Sequence, residues 1–319
     1  MRDSKHFING EFLATGSGEP LKNMNPVTGE QIGVIYNGGK HEVDMAVSAA
    51  KEAGKGEWAA MDIKQRVEIL HRVADGITAR FDEFLEAECL DTGKPYSLAS
   101  HIDIPRGAAN FKVFADMVGN VADEAFSMAT PDGTGALNYS QRQAKGVIAV
   151  ICPWNLPLLL MTWKVAPALA CGNTVIVKPS IETTLTTVLL GEVMNDAGVP
   201  KGVYNVVVGR GSTVGDALVK HPDVEAITFT GSTPVGEGLM QAASIGVRDI
   251  SLELGGKNAG VIFADCDMDK AIEGTLRSAF ANCGQVCLGT ERLYVERSIF
   301  DEFVARMKAG AEKLMLAFL

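Results

Sequence analysis

Two residues whose types do covalent and acid–base chemistry stand in loop-forming surroundings: Glu253 in SLELGGKNAG and Cys287 in FANCGQVCLG. Glu253 lies at the end of a β-rich run, Asp249 to Leu254, which breaks at Gly255-Gly256. A carboxylate leaving a strand into a glycine turn can point into a cleft and act as a base. Cys287 follows a helical pattern from Met268 to Phe280 and lies in a loop with Asn282, Gly284 and Gln285. Small and amide residues there leave backbone N–H groups free, which suits a thiolate and an oxyanion. A lone cysteine is more often core than nucleophile, and Cys283 reads as core.

Upstream stand residues fit to bind rather than react. Two glycine loops follow strand-like runs: Gly209-x-Gly211-x-x-x-Gly215, and Gly231-Ser232-Thr233-Pro234-Val235-Gly236. Neither is the usual G-x-G-x-x-G, but glycines between a strand and a helix let backbone N–H groups approach a phosphate, and Pro234 suits a first helical turn. Lys178 closes another strand, where its ammonium reaches a ligand at the carboxyl end or is simply solvated. Asn155, between Pro153 and Pro157, offers an amide donor to an oxyanion or serves only the turn.

The elements that must position these residues change character along the chain. Asn9-Gly10 between apolar flanks predicts a hairpin over His6 to Leu13, and Asn25-Pro26-x-x-Gly29 a turn before a strand from Gln31 to Tyr36, together an N-terminal β extension. Helical spacing over 42–52, 63–79, 81–91 and 104–118 predicts four helices, with Asp62 and Asp82 near two N-termini. Ala136 to Gln143 alternates and predicts a strand outside the main sheet. From Gly146, GVIAVI, NTVIVK, VYNVVVG and AITFTG alternate with helical segments 183–197, 213–220 and 236–243, the pattern of a parallel, doubly wound α/β sheet. A second set begins after Leu254: AGVIF, the helix 268–280, a strand Arg292 to Val295 and a helix from Ile299. The domain boundary is therefore expected at the Gly-Gly break, giving 1–254 and 255–319.

With 319 residues and 47% hydrophobic composition the chain can bury a sizeable core. A net charge of −10 argues against a nucleic-acid or acidic-membrane surface and favours small-molecule chemistry. The six cysteines, Cys89, Cys152, Cys171, Cys266, Cys283 and Cys287, are scattered without metal-type pairing. With no apolar signal segment at the N-terminus, they point to a reducing cytoplasm. Gly146 to Trp163 is apolar but interrupted by Pro153, Asn155 and Pro157, so it reads as strand and loop rather than a membrane span.

The order and spacing of Pro153-Trp154-Asn155-x-Pro157, Lys178-Pro179-Ser180, Glu253-Leu254-Gly255-Gly256-Lys257 and Asn282-x-Gly284-Gln285-x-Cys287 resemble the aldehyde dehydrogenase superfamily. The resemblance runs along essentially the whole chain. It implies an aldehyde-dehydrogenase-like fold, Cys287 as nucleophile, Glu253 as the base that hydrolyses a thioester, and Asn155 in the oxyanion hole. It also implies NAD as cofactor, with NADP open, held by Ile151, Pro153, Trp154, Lys178, Gly209, Gly211, Phe229, Thr230, Gly231, Ser232, Gly236 and Leu254, and no metal. The family's ribose-binding glutamate is here Ile181, with Glu182 next to it, which puts the choice of coenzyme in question.

Locally the likeness is greatest to the branch acting on semialdehydes from the meta-cleavage of catechols. It implies 2-hydroxymuconate semialdehyde as substrate and Arg106 in DIPRGAANF as the cation for its distal carboxylate. A homo-oligomer is expected of the full-length family. Family members continue well past this point, so the chain reads as a dehydrogenase with an incomplete catalytic domain, ending in six apolar residues, Leu314 to Leu319. Two other readings stay open: a cofactor-binding protein without turnover, and a coenzyme-A-acylating dehydrogenase.

Overall fold

In the computed structural model, which describes residues 3–314, Asn9 and Gly10 take positive φ (53° and 79°). They close a two-residue hairpin between β1 (His6–Ile8) and β2 (Glu11–Leu13). β3 (Leu21–Met24) and β4 (Gln31–Ile35) form a second antiparallel pair. There follow α1 (Lys40–Ala53), α2 (Glu57–Ala60), α3 (Ile63–Ala79), α4 (Phe81–Thr92), α5 (Tyr96–Leu98) and α6 (Ile104–Val118). Asp62 caps α3, its side chain accepting from the Gln65 N–H at 2.8 Å. β5 (Ala125–Met128) and β6 (Ala136–Tyr139) pair with each other outside the main sheet. The expected strand thus ends at Tyr139, and its partner β5 was not anticipated.

The alternating part comprises β7 (Val147–Ile151), α7 (Pro157–Ala170), β8 (Thr174–Lys178), α8 (Leu185–Asp196), β9 (Tyr204–Val206), α9 (Asp216–Lys220), β10 (Ala226–Thr230), α10 (Thr233–Ser244) and β11 (Asp249–Glu253). The helix expected over 213–220 is split, a π turn at Gly211–Gly215 preceding α9. β12 (Ala259–Ile262), α11 (Met268–Phe280), β13 (Arg292–Val295) and α12 (Phe300–Ala311) complete the chain, with β12 and β13 paired in parallel in a sheet of their own. Of the apolar run Leu314 to Leu319, residues 315–319 lie outside the described residues.

The main sheet has the order β11-β10-β7-β8-β9-β1-β2, its first five strands parallel and the hairpin antiparallel at one edge. Phe7 opposite Val206 joins β1 to β9, so the N-terminal hairpin is part of the sheet rather than an extension from it. Alternate residues face two cores, as a sheet covered on both sides requires. Ile148, Val150, Val175 and Val177 pack with buried residues of α3, α6, α7 and α8; Val147, Ala149, Ile176 and Ile227 pack with α1, α9 and α10.

Asp91, in the last turn of α4, ties three elements together. It accepts from Asn23 Nδ2 of β3 at 2.8 Å and from the N–H of Leu185, first residue of α8, at 2.7 Å. Burial pushes its carboxyl up to about 7 despite these donors. The folded chain therefore holds this proton more tightly than the unfolded chain. The associated stability is full below about pH 4 and is lost as pH rises to about 7, a change on the order of 4 kcal/mol. Thermal unfolding across that range is expected to show a flatter pH dependence in Asp91→Asn than in the unsubstituted chain; parallel curves would contradict this.

Candidate active site

Parallel pairing brings several of the singled-out residues to one end of the sheet. Thr230 is opposite Glu253, Phe229 is opposite Ile151, and Ile151 is opposite Lys178. Each is the last residue of its strand or adjacent to it, at the carboxyl edge where α/β sheets take their ligands. The Gly231 N–H donates to the Glu253 carbonyl at 3.0 Å, fixing the end of β11 against the turn after β10. A Cβ at Gly231 would stand 2.4 Å from the Phe229 ring, so the ring requires a glycine there.

Cys287 reaches this edge from the other set of elements. After α11 the chain turns through Asn282 and Cys283, both left-handed (φ 51° and 57°), which ends the helix and swings the following loop around. Cys283, expected in the core, is exposed in this turn. Asn258 Nδ2 donates to the Cys287 carbonyl at 2.6 Å and to that of Gly289 at 2.9 Å. Asn155 Nδ2 donates to the Gln285 carbonyl at 2.9 Å. Its backbone carbonyl accepts from Asn282 Nδ2 at 3.1 Å, so Asn155 and the cysteine loop are joined twice.

Cys287 and Glu253 line one cavity of 520 Å³, with Arg106, Lys164, Thr230 and Arg277 on its wall. Its apolar lining includes Leu98, Leu159, Trp163 and Leu288. Cys287 is the one cysteine among those lining residues. Cys152 lies near the same edge, but burial pushes its thiol up to about 12, and Cys89 is pushed up to about 11. Neither yields a thiolate near neutral pH.

A groove of 1020 Å³ meets this cavity at Thr230, which lines both. Ile151, Pro153, Trp154, Lys178, Gly211, Phe229, Gly231 and Ser232 line the groove. Burial lowers the Lys178 ammonium to about 8, and its Nζ donates to the Pro179 carbonyl at 2.8 Å. Gly209, Gly236 and Leu254 are absent from the groove lining. A Cβ on Gly209 would meet Val214 at 2.5 Å, and one on Gly236 would meet Leu254 at 2.7 Å. Gly209 and Gly236 thus let the Val214 and Leu254 side chains approach the backbone closely.

The model of the aldehyde dehydrogenase family matches residues 12–317. The chain belongs to that family. It is 70% identical over 317 residues to a 2-hydroxymuconic semialdehyde dehydrogenase of Pseudomonas sp. (strain CF600), covering 99% of this chain and 65% of that protein. It is 49% identical to a 2-aminomuconic 6-semialdehyde dehydrogenase of Pseudomonas sp., over 95% of this chain and 62% of that protein. Among solved structures, an NAD+ complex of aldehyde dehydrogenase from Bacillus cereus superposes with a TM-score of 0.93 at 33% identity, covering 99% of this chain and 64% of that one. The chain thus spans somewhat under two thirds of the length of these relatives.

Three polar residues of this candidate site escaped the reading of the sequence. Lys164 is buried on α7, donating to Thr228 Oγ1 at 3.1 Å and the Phe229 carbonyl at 3.4 Å. Burial lowers its ammonium, opposed by the nearby charge of Glu253. It is the one charge in the otherwise apolar PLLLMTWKVAPALA, which was a usable signal. Arg277 reaches the cavity because Gly274, Arg277 and Ser278 share the face of α11 turned toward it. Asn258 gave no signal, since its partners are backbone carbonyls about thirty residues away.

Among the described residues no helix is long and apolar enough to cross a membrane, and no cluster of His, Cys, Asp and Glu is placed to hold a metal.

Proposed function

We propose that this chain carries the coenzyme groove and catalytic pair of an NAD(P)-dependent dehydrogenase that oxidises 2-hydroxymuconate semialdehyde to its carboxylic acid. The observation that carries this reading is the meeting of cavity and groove at Thr230, with Cys287 and Glu253 on the cavity side. The chemistry of the groove fits a dinucleotide. Thr230 Oγ1 is buried without a hydrogen-bond partner, and Lys178, Ser180, Ser212 and Ser232 offer donors. The first turn of α10, entered through Gly231, Ser232 and Pro234, presents the free N–H groups that suit a phosphate. Ile181 stands where the family's ribose-binding glutamate is expected, which supports acceptance of NADP beside NAD. We divide the chain functionally at Leu254, with the groove in 1–254 and the cysteine loop in 255–319.

When bound, the nicotinamide supplies the hydride acceptor. The Cys287 thiolate attacks the aldehyde carbon, and the new C–S bond leaves an oxyanion that Asn155 and the Cys287 N–H stabilise. Loss of hydride from that carbon leaves a thioester on Sγ. Glu253 then takes a proton from water, hydroxide adds to the thioester, and the thiolate leaves as the acid forms. Arg106 and Arg277 pair with the distal carboxylate; among the described residues neither guanidinium is in an ion pair. Lys164 and Glu253 stand on the wall of the same cavity. A coenzyme-A-acylating reading has less support, because a base at Glu253 serves water.

Absorbance at the nicotinamide band, followed with semialdehydes and uncharged aldehydes, both coenzymes, and with and without coenzyme A, tests the assignment. Acid formation independent of coenzyme A is expected. Replacing Arg106 or Arg277 with alanine is expected to raise KM for the carboxylate-bearing semialdehyde by ~10-fold or more and to leave that of an uncharged aldehyde nearly unchanged. Equal effects on both would reduce the arginines to structural residues.

A further inference from the structure

Behind the Asn155 loop lies a buried ionic cluster that the mechanism above leaves unused. The Lys94 side chain, 1% exposed, stands between those of Glu88 and Asp103, each 0% exposed, with Nζ 3.1 Å from Glu88 Oε1 and 2.6 Å from Asp103 Oδ2. Its remaining N–H donates to the backbone carbonyl of Asn155 at 3.0 Å, so all three donors of the ammonium are engaged. That carbonyl is the one that also accepts from Asn282. Glu88 Oε2 in turn accepts from the Leu158 N–H, in the first turn of α7, at 3.3 Å. Asp103 immediately precedes α6, the helix that bears Arg106. One lysine therefore links α4, the start of α6, the start of α7 and the loop that touches the cysteine segment.

Burying one cation with two carboxylates is a poor way to stabilise a fold. Desolvating three charges offsets much of their attraction, and burial raises both carboxyls from their ordinary range. The geometry it fixes is more specific than the stability it adds. Asn155 and Asn282 both donate to the Gln285 carbonyl, at 2.9 and 3.3 Å, and share the Asn155 carbonyl as a node. Lys94 supplies that node with its charge-assisted bond, the strongest class of hydrogen bond available there.

We propose that Lys94 is a positioning residue for the reaction assigned above: by holding the Asn155 carbonyl it aims the Asn155 amide at the cysteine loop and keeps Cys287 in donor-rich surroundings. The inference rests on that assignment of Cys287 and Asn155. Lys94 touches no reacting atom, and its effect on Cys287 passes through Asn155.

Lys94→Met alone would strand two buried carboxylates, so the variant to use combines Lys94→Met with Glu88→Gln and Asp103→Asn, which removes all three charges with little change of shape. The measurement is the rate at which limiting iodoacetamide labels Cys287, divided by the rate for Cys171. Cys171 is an exposed thiol just past the other end of α7, roughly 20 Å along the helix. General loosening raises both rates together. Loss of positioning lowers the Cys287 rate alone, and the ratio is expected to fall about tenfold, the effect of one lost hydrogen bond. An unchanged ratio in the folded triple variant overturns the proposal. If the triple variant does not fold, Lys94→Met with Asp103→Asn serves, since it removes the bond to the Asn155 carbonyl and one of the two buried carboxylates; an unchanged ratio there overturns the proposal as well. If Cys287 is not the fastest thiol in the unsubstituted chain, the functional assignment fails instead, a separate result.

Discussion

With Cys287 replaced by alanine, NADH formation from an aldehyde is expected to fall by at least ~10⁴-fold, to the uncatalysed background. Loss of fold would not explain the result, because Cys287 is exposed and its side chain supports no core. No other thiol is placed to substitute. Cys152 and Cys89 are buried with raised pKa values, and Cys171, Cys266 and Cys283 do not line the cavity. The check is absorbance at the nicotinamide band, with melting temperature as the control on folding. Substantial turnover by a folded Cys287→Ala chain would remove the covalent intermediate from the account.

Glu253→Gln is expected to separate the two halves of the reaction. In the proposed mechanism its carboxylate is needed after hydride has left, so the first turnover should release NADH at close to the normal rate. Hydrolysis of the thioester should slow by ~10²-fold or more. Glutamine keeps the shape and the backbone link from Gly231 to the residue 253 carbonyl, leaving the strand end in place. A burst of NADH followed by a stall is the expected trace. Loss of the burst itself would move Glu253 into the first step, a role that its place in the same cavity as Cys287 also allows geometrically.

Where local rules decide structure, the sequence was legible. Asn9-Gly10 announced a hairpin because both positions need left-handed backbone, and both have it. Helices 63–79 and 104–118 agree with their apolar spacing to the residue. The runs after Gly146 read as buried parallel strands because both faces of the sheet are covered. What failed depends on partners distant in sequence. Nothing in HFI says that it pairs with a strand about two hundred residues later. AFSM in β5 is exposed at every position, so no burial pattern marked it.

The candidate site divides along the same line. Glu253 and Cys287 stood out because loops beside glycines advertise exposed chemistry, and both are exposed at one cavity. Cys283 misled because a lone cysteine is more often core, whereas the left-handed turn at Asn282 and Cys283 carries it to the surface. At Gly209 and Gly236 a neighbouring side chain fills the space of a Cβ, a packing reason for glycine that the sequence alone did not show. Arg277 required knowing which face of α11 turns inward. Lys94 was hidden because its two partners lie six and nine residues away on different elements, and the third is a backbone carbonyl.

The central claim is that Cys287 is the activated nucleophile. Peptide mapping after limiting iodoacetamide, applied to all six thiols at neutral pH, tests it without requiring turnover. The account predicts that the peptide holding Cys287 is modified first, with Cys89 and Cys152 last because burial raises their thiols. Modification of Cys283 or Cys152 before Cys287 would contradict it.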